Sequence, residues 1–231
     1  MKNLKKNGNT WIQAYDTVLN LILTSAIKPG EWVTEVGLSK RLGIGRTPIR
    51  EALHKLEQEG LIVTENRRKR VYLLTISEME EIFDIKICLE SQACSWAAAR
   101  GTQTDKKALK NILEDLRGLL AARPSDAEGE DVWFKKWTAK DDALHQVIFN
   151  MAGNKRAANF INNLNKQWHR LRVGIMAMEG RIDKSLNEHE LFVDAIIGGN
   201  TEVAGQAMRD HLENLKRMLI QLLKMFNYPA A

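Results

Sequence analysis

Cysteine and proline are scarce in this chain: two of the first and four of the second occur in 231 residues. Cys88 and Cys94 lie six apart in a stretch of helical pattern, on different sides of one helix and out of bridging reach. No disulfide framework is therefore expected, and reduced thiols suit a reducing compartment. Aromatic residues make up only 6% of the chain. Leu, Ala, Ile, Glu and Lys are common, and with so few helix breakers the composition predicts a mainly α fold. No run of about 18 apolar residues without charges exists, so no membrane span is expected. The basic start MKNLKKNGNT leads into a polar-studded segment with no small-residue cleavage site. The expectation is a soluble, cytoplasmic protein.

What the chain does have is an uneven charge. Residues 1–75 carry 13 Lys and Arg against 7 Asp and Glu, a net of +6, whereas residues 76–231 carry 21 against 22, a net of −1. Such asymmetry points to a polyanion-binding module at 1–75 joined to a neutral one at 76–231.

Within the first module, Ile12, Tyr15, Val18, Leu19, Ile22 and Leu23 form a period-3.6 stripe for one helix. Pro29-Gly30 breaks it. Thr34 then offers an N-cap for a short helix ending at Gly43, and a third helix runs over 46–59 with Ile49, Leu53 and Leu56 inward and Pro48 tolerated in its first turn. That helix opens with GRTPIREAL, which places Arg46 and Arg50 at the end where the helix macrodipole disfavours cations. Folding alone gives no reason for them; an anionic partner does. Two short helices joined by a tight Gly-containing turn describe a helix-turn-helix, in which the front of the second helix enters the major groove of double-stranded DNA. There Arg46 and Arg50 can bond guanine in bidentate fashion, and Thr47 can reach a phosphate or a thymine methyl. Strands at 61–64 and 70–74 flank a tip with Arg67, Arg68 and Lys69, a basic wing that adds counterion-release affinity.

The remainder reads as helix after helix, at about 77–100, 104–121, 130–151, 154–178, 183–198 and 201–226, with Ser77 and Glu80 in capping-box spacing. No strand pattern interrupts them, so an all-helical antiparallel bundle follows. Its informative residues are polar ones on apolar faces. His145 lies among Leu144, Ile148 and Phe149, with Asp141 one turn earlier; His189 shares a stripe with Phe192, Val193 and Ile196; His211 shares one with Ala204, Ala207, Met208 and Leu215. Lone buried ionisable groups are costly. Three histidines and one aspartate on the inner faces of three helices need partners, and the simplest shared partner is a divalent metal, Zn or Ni suiting a His3Asp set best. Any one of these histidines alone would read as a satisfied core residue. His54 reads as solvent-facing or capping, His169 has no assigned role, and Trp133 and Trp137 read as packing or pocket lining. Met208, Met218 and Met225 read as gap-fillers in a last helix that forms core and dimer surface.

The stretch PGEWVTEVGLSKRLGIGRTPIREALHKLEQEGLI resembles the winged helix-turn-helix of GntR-type bacterial transcription regulators, with Gly45 where Ser or Thr is usual and a wing without its usual Gly. The segments KICLESQACSWAAAR, DDALHQVIFNMAGN and NEHELFVDAIIGGNTEVAGQAMRDHL resemble the FCD effector-binding domain of the FadR subgroup. By that resemblance Arg46, Thr47 and Arg50 contact DNA, and Asp141, His145, His189 and His211 hold a metal beneath a pocket for a small carboxylate. Lys86 stands where an Arg is common in effector binding, a point charge in place of a bidentate fork. Arg172 could supply the fork. The implied protein is a homodimeric regulator of an inverted-repeat operator, acting by population shift. Two alternatives use the same residues: a metal-dependent hydrolase with metal-activated water, which lacks a general base, a nucleophile motif and a phosphate loop, and a pure metal sensor.

Overall fold

The computed structural model describes residues 7–124, 126–176 and 180–225. Among them are nine helices and three short strands, so the mainly α expectation holds. The chain divides into two units, the first running to Thr75 and including Asn165–Val173, the second containing Ile76–Leu164 and continuing from Gly174.

In the first unit, α1 (Asn7–Leu23) is followed by β1 (Trp32–Val33), α2 (Glu35–Leu42), α3 (Arg46–Gln58), β2 (Ile62–Glu65) and β3 (Arg68–Val71). The α1 stripe is turned relative to expectation. Ala14, Val18 and Ile22 are buried at i, i+4 and i+8, whereas Ile12 is exposed. Thr34 caps α2, its side chain accepting from Gly37 N, and Gly43 ends it at φ +67. Ile49, Ala52, Leu53 and Leu56 of α3 close this core against α1 and the sheet. The strands pair antiparallel in the order β1-β3-β2, with Thr64 opposite Lys69 and Trp32 opposite Arg70. The hairpin is shorter and shifted from the expected strands because Asn66 and Arg67, at φ +48 and +63, take the two left-handed turn positions. Glu59 is buried in this unit. It accepts from Tyr15 Oη at 2.6 Å and from Lys166 Nζ at 3.0 Å, which together hold its carboxyl below the usual carboxylate range despite burial.

The second unit comprises α4 (Ile76–Arg100), α5 (Gln103–Ala121), α6 (Ala127–Met151), α8 (Arg181–Ile197), α9 (Thr201–Met225) and the first half of α7 (Lys155–Met176). Helix α4 begins at Ile76, so Ser77 is inside it and is not the cap; Thr75 precedes it, with Glu78 in capping-box spacing. The capping box appears instead at α5, between Thr102 and Asp105, and Asp126 starts α6 by accepting from Gly129 N. A contiguous core includes Leu109, Leu113, Leu116, Trp137, Leu144, Ile148, Phe192, Val193, Ile196 and Met208. Helices α4 and α9 approach so closely that a Cβ on Gly205 would lie 2.4 Å from Ser95 Oγ. Cys88 is exposed and Cys94 buried, both as free thiols, and burial raises Cys94 well above its ordinary value. Met225, at 76% exposed, fills no gap.

Candidate functional site

Two clusters carry chemistry, one in each unit. On the first, α3 presents Arg46, Thr47 and Arg50 to solvent from its first turn and a half. Gly45 precedes them with no side-chain cap, and the first turn holds no acidic residue, so the helix's free N–H groups and two guanidiniums face outward together. Among the described residues Arg46 makes one ion-pair contact, at 3.9 Å to Glu35, with its side chain 67% exposed. His54 is exposed.

The three basic residues of the wing differ. Lys69 turns back to pair with Glu57 of α3 and donates to Thr64 Oγ1 at 3.1 Å, which fastens the hairpin to the helix. Arg68 stacks over the Trp32 ring with its guanidinium carbon 4.4 Å from the centroid. Arg67 stands exposed at the tip in the left-handed region, a conformation that costs a non-glycine residue about 1 kcal/mol or more.

In the second unit, α6, α8 and α9 bring His145, His189 and His211 together. Ring centroids are 5.0 Å apart for His189 and His211, 5.4 Å for His145 and His189, and 5.8 Å for His145 and His211. One nitrogen from each ring lies within 4.8 Å of the others. Asp141, one helical turn before His145, puts Oδ1 3.3 Å from His189 Nε2. Two atoms that share one ion at ~2.1 Å stand roughly 3.0–3.4 Å apart, so this spacing suits a ligand pair, although the group whose donor atoms all lie within 4.8 Å of one another is the three imidazoles without Asp141. Phe192 packs against all three rings and Phe149 against His145. His189 is fully buried, and burial, outweighing the nearby Asp141, drives its pKa well below the ordinary value. A neutral imidazole is the form that binds a metal. The donors present thus fit a borderline divalent cation.

Around the imidazoles stand charged residues, of which the sequence singled out Lys86 alone. Lys86, 2% exposed, pairs with Glu90 on its own helix, and Glu90 Oε2 lies 3.9 Å from His145 Nδ1. Glu188 Oε2 accepts from His211 Nδ1 at 2.8 Å and from Arg181 Nη1 at 3.0 Å, while its Oε1 accepts from Asn214 Nδ2 at 2.8 Å. Burial opposes ionisation of Glu188, but the bond and charge of His211, followed by Arg181, lower its pKa to about 2. Lys86 therefore reaches the imidazoles through Glu90. The side chains of Arg172, His169 and Trp168 lie outside the described residues. Trp133 and Trp137 stack at 5.7 Å; Trp133 donates to Leu119 O, and Trp137 Nε1 is buried without a partner among the described residues.

A three-stranded sheet behind a solvent-facing basic helix, next in sequence to an all-helical unit, defines a winged helix-turn-helix transcription regulator. Residues 12–70 match the description "Bacterial regulatory proteins, gntR family", and residues 81–214 match "FCD domain". The chain belongs to the GntR family of DNA-binding transcription regulators, in the FadR-type subgroup that carries an FCD domain. It is 26% identical over 221 residues to the HTH-type transcriptional regulator YdhC of Bacillus subtilis (strain 168), covering 94% of this chain and 95% of that one. It is 25% identical over 214 residues to the HTH-type transcriptional repressor GlaR of Escherichia coli (strain K12), covering 88% and 92%. Among solved structures, E. coli McbR/YncC shares the fold with a TM-score of 0.73 at 18% identity, over 92% of this chain and 98% of that chain. The relatives are regulators of transcription rather than enzymes.

Proposed function

We propose that this chain is a homodimeric, cytoplasmic regulator whose affinity for an inverted-repeat operator is set by a small carboxylate bound beside a divalent metal, Zn or Ni. The observation that carries this reading is the buried charge around the three histidines. Lys86 pairs with Glu90, Arg181 with Glu188, and Asp141 Oδ1 lies 3.3 Å from His189 Nε2, beside the other two imidazoles. A divalent ion held by these groups would offer an anionic ligand oxygen a positively charged seat, so a small carboxylate is the favoured class. Ser91 Oγ and Trp137 Nε1 are further buried groups of the same unit with no hydrogen-bond partner among the described residues.

Asp141, His145, His189 and His211 would hold the ion, which supplies a Lewis-acidic seat for the carboxylate. Lys86 would add positive charge at that seat. Arg46, Thr47, Arg50, Arg67 and Arg68 would meet DNA, and Lys69 would contribute both to the wing's attachment and to its field.

The test is a titration of full-length protein into duplex from its own upstream region, metal-free, Zn-loaded, and Zn-loaded with a panel of carboxylates. Operator affinity that changes only when metal and a carboxylate are both present is the expected result. Affinity that tracks metal alone would make the ion itself the signal, and affinity indifferent to both would sink the proposal. A narrower expectation concerns Arg67→Gly. Unfolding free energy should stay within ~1 kcal/mol of wild type, because glycine takes the left-handed position without strain. Duplex affinity should fall, and the slope of log affinity against log salt should shrink by about 1, the loss of one phosphate contact. An unchanged slope would remove Arg67 from the interface.

A further inference from the structure

Beyond the proposed ligands, and resting on that reading of the site, we infer that Glu188 is the positioning residue for His211. Successive helical residues point about 100° apart, so while His189 faces the other imidazoles, its neighbour Glu188 is directed toward α9. There it meets His211 Nδ1 at 2.8 Å and Asn214 Nδ2, three residues on, at 2.8 Å. Arg181, seven residues and about two turns earlier on the same face of α8, donates from Nη1 at 3.0 Å. Three donors from two helices hold this carboxylate in one orientation. An acceptor on Nδ1 keeps the ring proton there and leaves the lone pair on Nε2, the nitrogen free to meet an ion. The negative charge behind the ring also strengthens its donation, as carboxylate partners of metal-bound histidines do.

The rival explanation is that Glu188 only neutralises buried Arg181. Two variants separate these roles. Arg181→Gln removes the cation and leaves the Glu188–His211 bond. Arg181→Gln/Glu188→Gln removes both charges, so buried charge stays balanced and only the carboxylate behind His211 is lost. The probe is Co2+, added to the metal-free full-length chain and read by its visible d–d bands as well as by titration. Arg181→Gln should bind within about threefold of wild type with the same spectrum. The double variant should lose about 10–100-fold in affinity, the usual cost of an outer partner, and shift its bands. Equal affinity and spectra in the two variants would overturn the inference. Failure of wild type to bind Co2+ would overturn the metal reading itself, and this inference with it. Should the double variant not fold, 15N-histidine spectra of the metal-free wild type decide: His211 protonated on Nδ1 is expected, and an Nε2-protonated ring would overturn the inference.

Discussion

Replacing Arg46 and Arg50 together by alanine should lower affinity for the operator duplex by about 10²-fold or more while leaving the fold intact. Each bidentate arginine–guanine pair discriminates by about 1–3 kcal/mol, and two such losses multiply. Neither side chain contributes to the core: both are exposed, and the one ion-pair contact of Arg46 among the described residues, at 3.9 Å to Glu35, is of the kind worth ~0–1 kcal/mol. Removing positive charge from the front of α3 should even relieve the macrodipole by a few tenths of a kcal/mol. Stability and DNA affinity are therefore expected to move in opposite directions, which a destabilising mutation cannot imitate. Fluorescence anisotropy on the upstream duplex and on a random duplex, with thermal unfolding alongside, measures both. Equal loss on the two duplexes would reduce the arginines to phosphate contacts, and no loss on either would remove them from the interface.

The same residues explain why the DNA-binding half is legible in the chain. A cation at a helix N-terminus conflicts with local electrostatics, and that conflict is visible in GRTPIREAL. The histidines were legible for a related reason, since a polar residue on an apolar stripe breaks the pattern around it. Their partners were not. Lys86 and Glu90, four apart, look like an ordinary solvated i,i+4 pair, yet each side chain is 2% exposed. Arg181 reads as a charge before a helix and Glu188 as half of a polar doublet, and only the packing of α8 on α9 makes them a buried pair. Strand β1 has two residues and so no period to detect. The Asn66-Arg67 turn is not legible because left-handed positions are associated with glycine, which the tip lacks.

Loading with Zn2+ or Ni2+ should raise the unfolding free energy of the helical unit by about 4 kcal/mol at a free metal concentration a thousandfold above Kd. The metal-free protein should in turn lose stability on mild acidification. The folded pKa of His189 is well below its ordinary 6.5, so between those values the unfolded chain binds a proton that the folded chain refuses. Stability therefore rises with pH across that window, and falls by up to about 1.4 kcal/mol per pH unit as pH drops below 6.5. Glu188 acts lower. With its pKa at about 2 in place of 4.5, its contribution is complete above 4.5 and is lost as pH falls from there toward 2. Both act in the same direction, His189 from 6.5 downward and Glu188 only from 4.5 downward. His189→Gln removes a ligand and a titrating group at once, so it should abolish the metal increment and flatten the slope between pH 6.5 and 5.5, while leaving the Glu188 window in place. A variant that keeps the wild-type slope would assign the acid sensitivity to another group, and one that keeps the metal increment would place the ion away from His189. Denaturant titrations of the metal-free and loaded forms at pH 7.5, 6.5 and 5.5 separate these cases, because the two consequences trace to one imidazole and must disappear together.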